Sequence, residues 1–262
     1  MPTTVRAGSD ISVPTPPTNH QTRVGASPSS PNDISLRHAA LVAGLGLLVL
    51  AVLAPIANFG ILQKLIVPGD AQTTAQNIVA AQGLFRLAIG ALFAVAILDV
   101  VVAWALYFVF RPVNQSLSLL AALCRVVYAS LFAVAVSNLL SALQLLGGAD
   151  FLKAFATDQL HAQMMVLLGA FQSGWDLALI IFGLHLCILG TLVVRSGKRL
   201  WLLGILVIAA GLGYIVDGGG KSLLPNDTMT VSTFTFVGEA LLIFWLLWKG
   251  IRGDQTERAK AS

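Results

Sequence analysis

Four ionisable side chains stand where so apolar a chain has few: Asp99, Arg125, His185 and Glu239, each inside a separate hydrophobic run. A charged group in hydrocarbon costs several kcal/mol unless it is paired, neutralised or hydrated, so each of these needs a partner from a neighbouring segment. Two kinds of chemistry are open to such a set. Opposite charges can tie helices together, and a carboxyl or imidazole with an adjustable proton can carry a proton, a cation or a small polar ligand. Asp99 and Arg125, on consecutive runs, read as a buried ion pair acting as a helix clamp. His185 and Glu239 are the candidates for handling a ligand or proton, against the alternative of a neutral Glu239 bonded to His185 or to a backbone carbonyl.

A second, outer polar set comprises Arg86, Asp176 and Asp217. Counting both sets, four carboxyls face two guanidinium groups. A proton on His185 removes one of the two missing positive charges, and the other requires a protonated carboxyl, a bound cation or open water. Asp176 and His185 are nine residues apart, about 180° around an ideal helix. The two are therefore expected in different layers unless the helix bends near Gly183.

Enzyme chemistry finds little support. His185 is deep in an apolar run while His161 lies at the edge of one, so no multi-histidine zinc or haem site can form within one span layer. No G-x-S-x-G occurs beside Ser173. Asp217-Gly218-Gly219-Gly220-Lys221 lacks the first glycine of a phosphate loop, since residue 215 is Ile. Cys124 and Cys187 both fall in apolar runs and read as core packing. No cofactor and no metal site are expected.

The elements that must position these residues follow from composition. Hydrophobic residues make up 56% of the 262-residue chain and charged residues 11%, against roughly 25% charged in soluble domains. The mean hydropathy is +0.83. These values mark an integral membrane protein, all-α, a polytopic helix bundle whose partner is the lipid bilayer. The basic pI of 9.3 reflects loop residues, and no Lys/Arg cluster suited to nucleic acid is present.

Residues 1–36, rich in Pro, Ser, Thr and Asn, read as a disordered cytoplasmic tail. They do not read as a signal peptide, because the first apolar run (Ala39 to Phe59) is too long for one. Residues 37–250 form the membrane domain. Its expected spans are Ala39–Phe59, with Pro55 bending the far end, Leu84–Phe110, Leu117–Leu146, Met164–Val194, Leu200–Val216 and Val231–Trp248. Residues 251–262 are a charged cytoplasmic tail. Asp70 is placed to cap a short helix after the Pro68-Gly69 turn. Asp150 can cap a short turn, and Thr157 or Asp158 can cap the fourth span. Gly204 and Gly211, seven residues apart, share a face on which a neighbouring backbone could approach closely.

Orientation follows from the basic residues between spans. Arg6, Arg23, Arg37, Arg111, Arg195, Lys198, Arg199, Lys249, Arg252, Arg258 and Lys260 fall on one side, and Lys64, Lys153 and Lys221 on the other. Six spans with both termini in the cytoplasm give this asymmetry. At 1.5 Å of rise per residue, Asp99 then lies about 16 Å, Arg125 about 14 Å, and His185 and Glu239 about 15 Å from the cytoplasmic ends of their spans. All four meet near the middle of a roughly 30 Å core.

The pieces LIVPGDAQTTAQNI, LFRLAIG, LYFVFRPVNQSL, LLAALCRVVYA, FGLHLCILG, RSGKRLWLLGILVIAAGLGYIVD and GEALLIFWLLWKGIR occur in that order between residues 39 and 252. Together they resemble a family of bacterial six-helix membrane proteins classed as domain of unknown function 4386. The matching pieces carry Arg86, Arg125, Gly183, His185, Gly190, Gly197, Gly211, Tyr214, Asp217 and Glu239, while Asp99 and Asp176 lie outside them. The resemblance implies a fold and a bacterial plasma-membrane location, and no activity. Two readings are open on this basis. One is a protein that transports or binds a small-molecule or ion ligand at Arg125, His185, Glu239 and Asp99. The other is a non-catalytic structural or regulatory membrane protein whose buried polar residues only fix helix packing.

Overall fold

In the computed structural model, residues 35–223 and 237–261 are described, with side chains given for 35–221 and 237–252. Among the described residues the chain is helical, without strands. We number the helices α1 (Leu36–Leu65), α2 (Ala71–Ala80), α3 (Gln82–Phe110), α4 (Gln115–Leu145), α5 (Thr157–Arg195), α6 (Trp201–Leu223) and α7 (Val237–Ala261). Five of them, α1, α3, α4, α5 and α6, are long and apolar enough to cross a membrane. The start expected for the last span, Val231, lies outside the described residues, as do residues 1–34 of the expected N-terminal tail, whereas Ser35 caps the first helix and Leu36 begins it. Helix α7 continues through Ala261, past the expected start of the C-terminal tail.

Long apolar helices bury one stripe and leave the other to lipid, and the bundle follows that rule. Ile97, Val134, Val166 and Phe244 are each about two-thirds exposed, whereas Phe85, Phe132, Leu139 and Met164 are fully buried. The helices pack in a closed circuit, α1 on α3, α3 on α4, α4 on α5, α5 on α6, α6 on α7, and α7 back on α1. The closure is made by small residues. Gly44 of α1 lies against Leu247 of α7, Gly250 of α7 lies against Leu41 of α1, and the Arg37 Nε donates to the Gly250 carbonyl at 3.1 Å.

The α5–α6 contact is the most extensive in the ring. Gly183 and Gly190 of α5 face Gly211 and Gly204 of α6, backbone to backbone, and Gly218 meets the Asp176 carbonyl. The seven-residue glycine spacing expected to admit a close neighbour does so, and its partner is α5.

Local signals set the ends of the elements. Pro55 falls within α1, and beyond it Ile56–Leu62 winds as a π-helix, with the Gln63 N–H reaching the Asn58 carbonyl. The bend expected at Pro55 is thus a widened turn, a feature common beside functional sites. Asn114 caps α4, its side chain accepting from the Leu117 N–H at 2.9 Å. The cap of α5 corrects the expectation of Thr157 or Asp158, because Ala156 is the boundary residue and its N–H donates to the Gln159 side chain at 3.2 Å.

Asp70 caps α2 as its spacing suggests, accepting from the Thr73 hydroxyl at 2.6 Å and the Thr73 N–H at 2.9 Å. The hydroxyl bond, followed by the backbone bond, holds the Asp70 carboxyl below its ordinary acidity range. A carboxyl with a lowered folded value stabilises above its unfolded value and loses that contribution as pH falls through the folded one. We therefore expect the amides of residues 71–76 to lose hydrogen-exchange protection below about pH 4. The Asp70→Asn protein should show no such pH step, and a step persisting in it would place the titrating group elsewhere.

Candidate functional site

The centre of the ring is polar. Arg125 on α4 and Asp99 on α3, each only 2% exposed, form an ion pair with Nη2 donating to Oδ1 at 2.5 Å. The other terminal nitrogen, Nη1, lies 3.3 Å from His185 Nε2 on α5, and His185 Nδ1 lies 2.8 Å from the Ala121 carbonyl on α4. These two contacts fix the tautomer. A carbonyl only accepts and a guanidinium only donates, so Nδ1 carries the hydrogen and Nε2 offers its lone pair. Bonded in this way, His185 is a neutral imidazole with both nitrogens used. It holds Arg125 in place between α4 and α5, and the proton invoked on it to balance the interior charge has no place to sit.

A cavity of about 680 Å³ opens beside the pair. Its walls come from α1, α3, α4, α5, α6 and α7, and Asp99, Arg125 and Glu239 all line it. Glu239, at the start of α7, interacts with Tyr214 of α6. Among the described residues its Oε1 has no hydrogen-bond partner, nor do the Arg125 Nε or the indole Nε1 of Trp175. Buried polar atoms are seldom left unpaired, and each one asks for a water, an ion or a ligand. Phe182 covers the guanidinium, its ring centroid 5.4 Å from the Arg125 Cζ, and packs against Tyr128 and Tyr214 at 4.8 and 5.3 Å.

Gln63, Gln172 and Lys221 also line the cavity. Asp176 lines it as well, and both its oxygens accept from Gln172 Nε2 at 3.2 Å. Asn58, in the π-wound turn of α1, contributes a further buried amide.

Each residue singled out from the sequence can now be placed. Asp99, Arg125 and His185 are bonded in a row, and Glu239 shares the cavity with the first two. Asp176 lines the cavity and His185 does not, as the half-turn between them requires; the polar layers join through Asp176. Asp217 is buried outside the cavity lining. Arg86 is exposed near the start of α3, so the outer polar set loses it: a long side chain next to a helix end reaches water more cheaply than it enters the bundle. Sequence reasoning missed Trp175, Tyr128, Gln172 and Asn58. Gln172 had a usable signal, since it lies four residues before Asp176 and thus on the same helix face. Among the described residues no group of three or more His, Cys, Asp or Glu could hold a metal ion.

Comparison with known proteins gives a family and no activity. The family described as Domain of unknown function (DUF4386) matches residues 42–250. An uncharacterized protein of Archaeoglobus fulgidus is 37% identical over 159 residues, which is 61% of this chain and 81% of that protein. No solved structure matches.

Proposed function

We propose, from the premise that this chain belongs to the DUF4386 family, that it is a six-span plasma-membrane protein that binds or transports a small ligand or ion in the central cavity. The observation that carries this reading is the set of unpartnered buried polar atoms, Glu239 Oε1, Arg125 Nε and Trp175 Nε1, around one cavity of about 680 Å³. That volume falls within the usual range of roughly 300–1,000 Å³ for ligand sites. The six-span topology is supported by α7 closing the ring between α6 and α1, and a cytoplasmic position of both termini by the excess of Lys and Arg in the segments on one side.

The packing reading has its own support in Asp99, Arg125 and His185, whose mutual bonds serve helix association without any ligand. The two readings divide at Glu239. Glu239→Gln keeps shape and removes the charge. In purified protein screened by thermal shift against a metabolite panel, we expect the wild type to be stabilised by at least one compound. The Glu239→Gln protein should stay folded and lose that response. A wild type silent across the panel, with Glu239→Gln altering only the unfolding midpoint, would favour packing alone.

A further inference from the structure

We propose that the cavity is built for an organic monocation that carries a hydrogen-bond-accepting oxygen, with the cationic head at Glu239 and the oxygen toward Arg125 Nε and Trp175 Nε1. The inference deepens the ligand-binding reading above and rests on it.

Charge accounting comes first. Asp99 is consumed by Arg125 at 2.5 Å, and both terminal nitrogens of Arg125 are already committed, to Asp99 and to His185. Asp176, also in the lining, interacts electrostatically with Lys221. Glu239 also lines the cavity and interacts electrostatically with Arg125, but with both terminal nitrogens of Arg125 committed elsewhere it has no cation bonded to it among the described residues.

The walls then select the kind of cation. Tyr128, Trp175, Phe182 and Tyr214 all line the cavity. Aromatic faces next to a carboxylate attract alkylated ammonium groups through the ring quadrupole. A bare metal ion fits poorly, since Na⁺, K⁺ or Ca²⁺ would need several oxygen ligands in place of these rings. A proton on Glu239 would neutralise the carboxyl, yet the two buried N–H donors would still call for an acceptor oxygen. An oxygen-bearing cation brings a charge for Glu239 and an acceptor for the Arg125 and Trp175 N–H groups in one molecule, which no simple ion does.

The test uses benzoylcholine and its uncharged carbon isostere, 3,3-dimethylbutyl benzoate, which differ only in replacing the ammonium nitrogen by carbon. Binding to the detergent-purified full chain is followed by thermal shift and by quenching of tryptophan fluorescence. We expect saturable binding of the cation, at least about tenfold weaker binding of the isostere, and a loss of about tenfold or more in Glu239→Gln. Equal binding of the two esters would overturn the cation assignment, as would an undiminished response in Glu239→Gln, and in both cases ligand binding itself would stand. Silence toward both esters, with a response to a neutral or anionic member of the metabolite panel, would also overturn the cation class alone. Silence toward every compound would overturn both readings. The ester comparison is made on the unsubstituted protein, so it decides the matter even if the Glu239 variant fails to fold.

Discussion

Asp99→Ala should cost about 3–5 kcal/mol of stability, among the largest effects open to a single side chain in this bundle. The substitution leaves Arg125 charged, only 2% exposed, and bonded only to a neutral imidazole and an aromatic face. Arg125 then has no carboxylate bonded to it among the described residues. The loss should be measurable as a shift in the SDS or thermal unfolding midpoint of purified protein. Combining Asp99→Leu with Arg125→Met should recover most of it, because the pair is then replaced by apolar volume and no charge stays buried. His185 adds a check on the direction of the effect. In the double variant its Nε2 loses its donor while the Nδ1–H bond to Ala121 at 2.8 Å remains, so recovery should be large and still incomplete. A single-variant cost under about 1 kcal/mol would mean that water or another carboxylate reaches Arg125.

The second large effect belongs to the glycine seam. A Cβ built on Gly211 would sit 2.5 Å from the Gly183 carbonyl oxygen and 2.9 Å from the Cys187 nitrogen. On Gly190 it would sit 2.6 Å from the Gly204 carbonyl. Backbone atoms cannot swing aside as side chains do, so even alanine must push α5 and α6 apart. We expect Gly211→Ala to cost about 1–3 kcal/mol, and Gly211→Leu to abolish recovery of folded protein. Gly90 of α3 is the control. A Cβ there meets nothing within 4 Å, so Gly90→Ala should be neutral or stabilise by up to about 1 kcal/mol through helix propensity. Equal responses at Gly211 and Gly90 would show that propensity, and not the close approach, governs the seam. Because α6 also presents Tyr214 to Glu239, Gly211→Ala should weaken any Glu239-dependent ligand response beyond its effect on stability.

The amino-acid sequence by itself determined the parts of this protein that depend on neighbours along one helix. Apolar runs long enough to cross a bilayer placed the five membrane-length helices, since in lipid the backbone must satisfy its hydrogen bonds within the segment. A fixed rise of 1.5 Å per residue predicted matching levels for Asp99, Arg125 and His185, which are bonded in a row. Seven-residue spacing put Gly204 and Gly211 on one face, and Asp70 and Gly69 fixed a cap and a turn. Tertiary structure decided what depth and spacing leave open, namely the rotation of each helix and its choice of neighbour. Rotation turned His185 away from the cavity into two hydrogen bonds, brought Trp175 and Tyr128 beside the ion pair, and sent Arg86 outward. Neighbour choice folded α7 against α1, so that six helices enclose one polar space. In lipid, apolar faces are nearly interchangeable to the solvent, so rotation is set by where small residues let backbones approach and where buried charges find partners. Both are properties of pairs of helices, and a single segment read alone does not contain them.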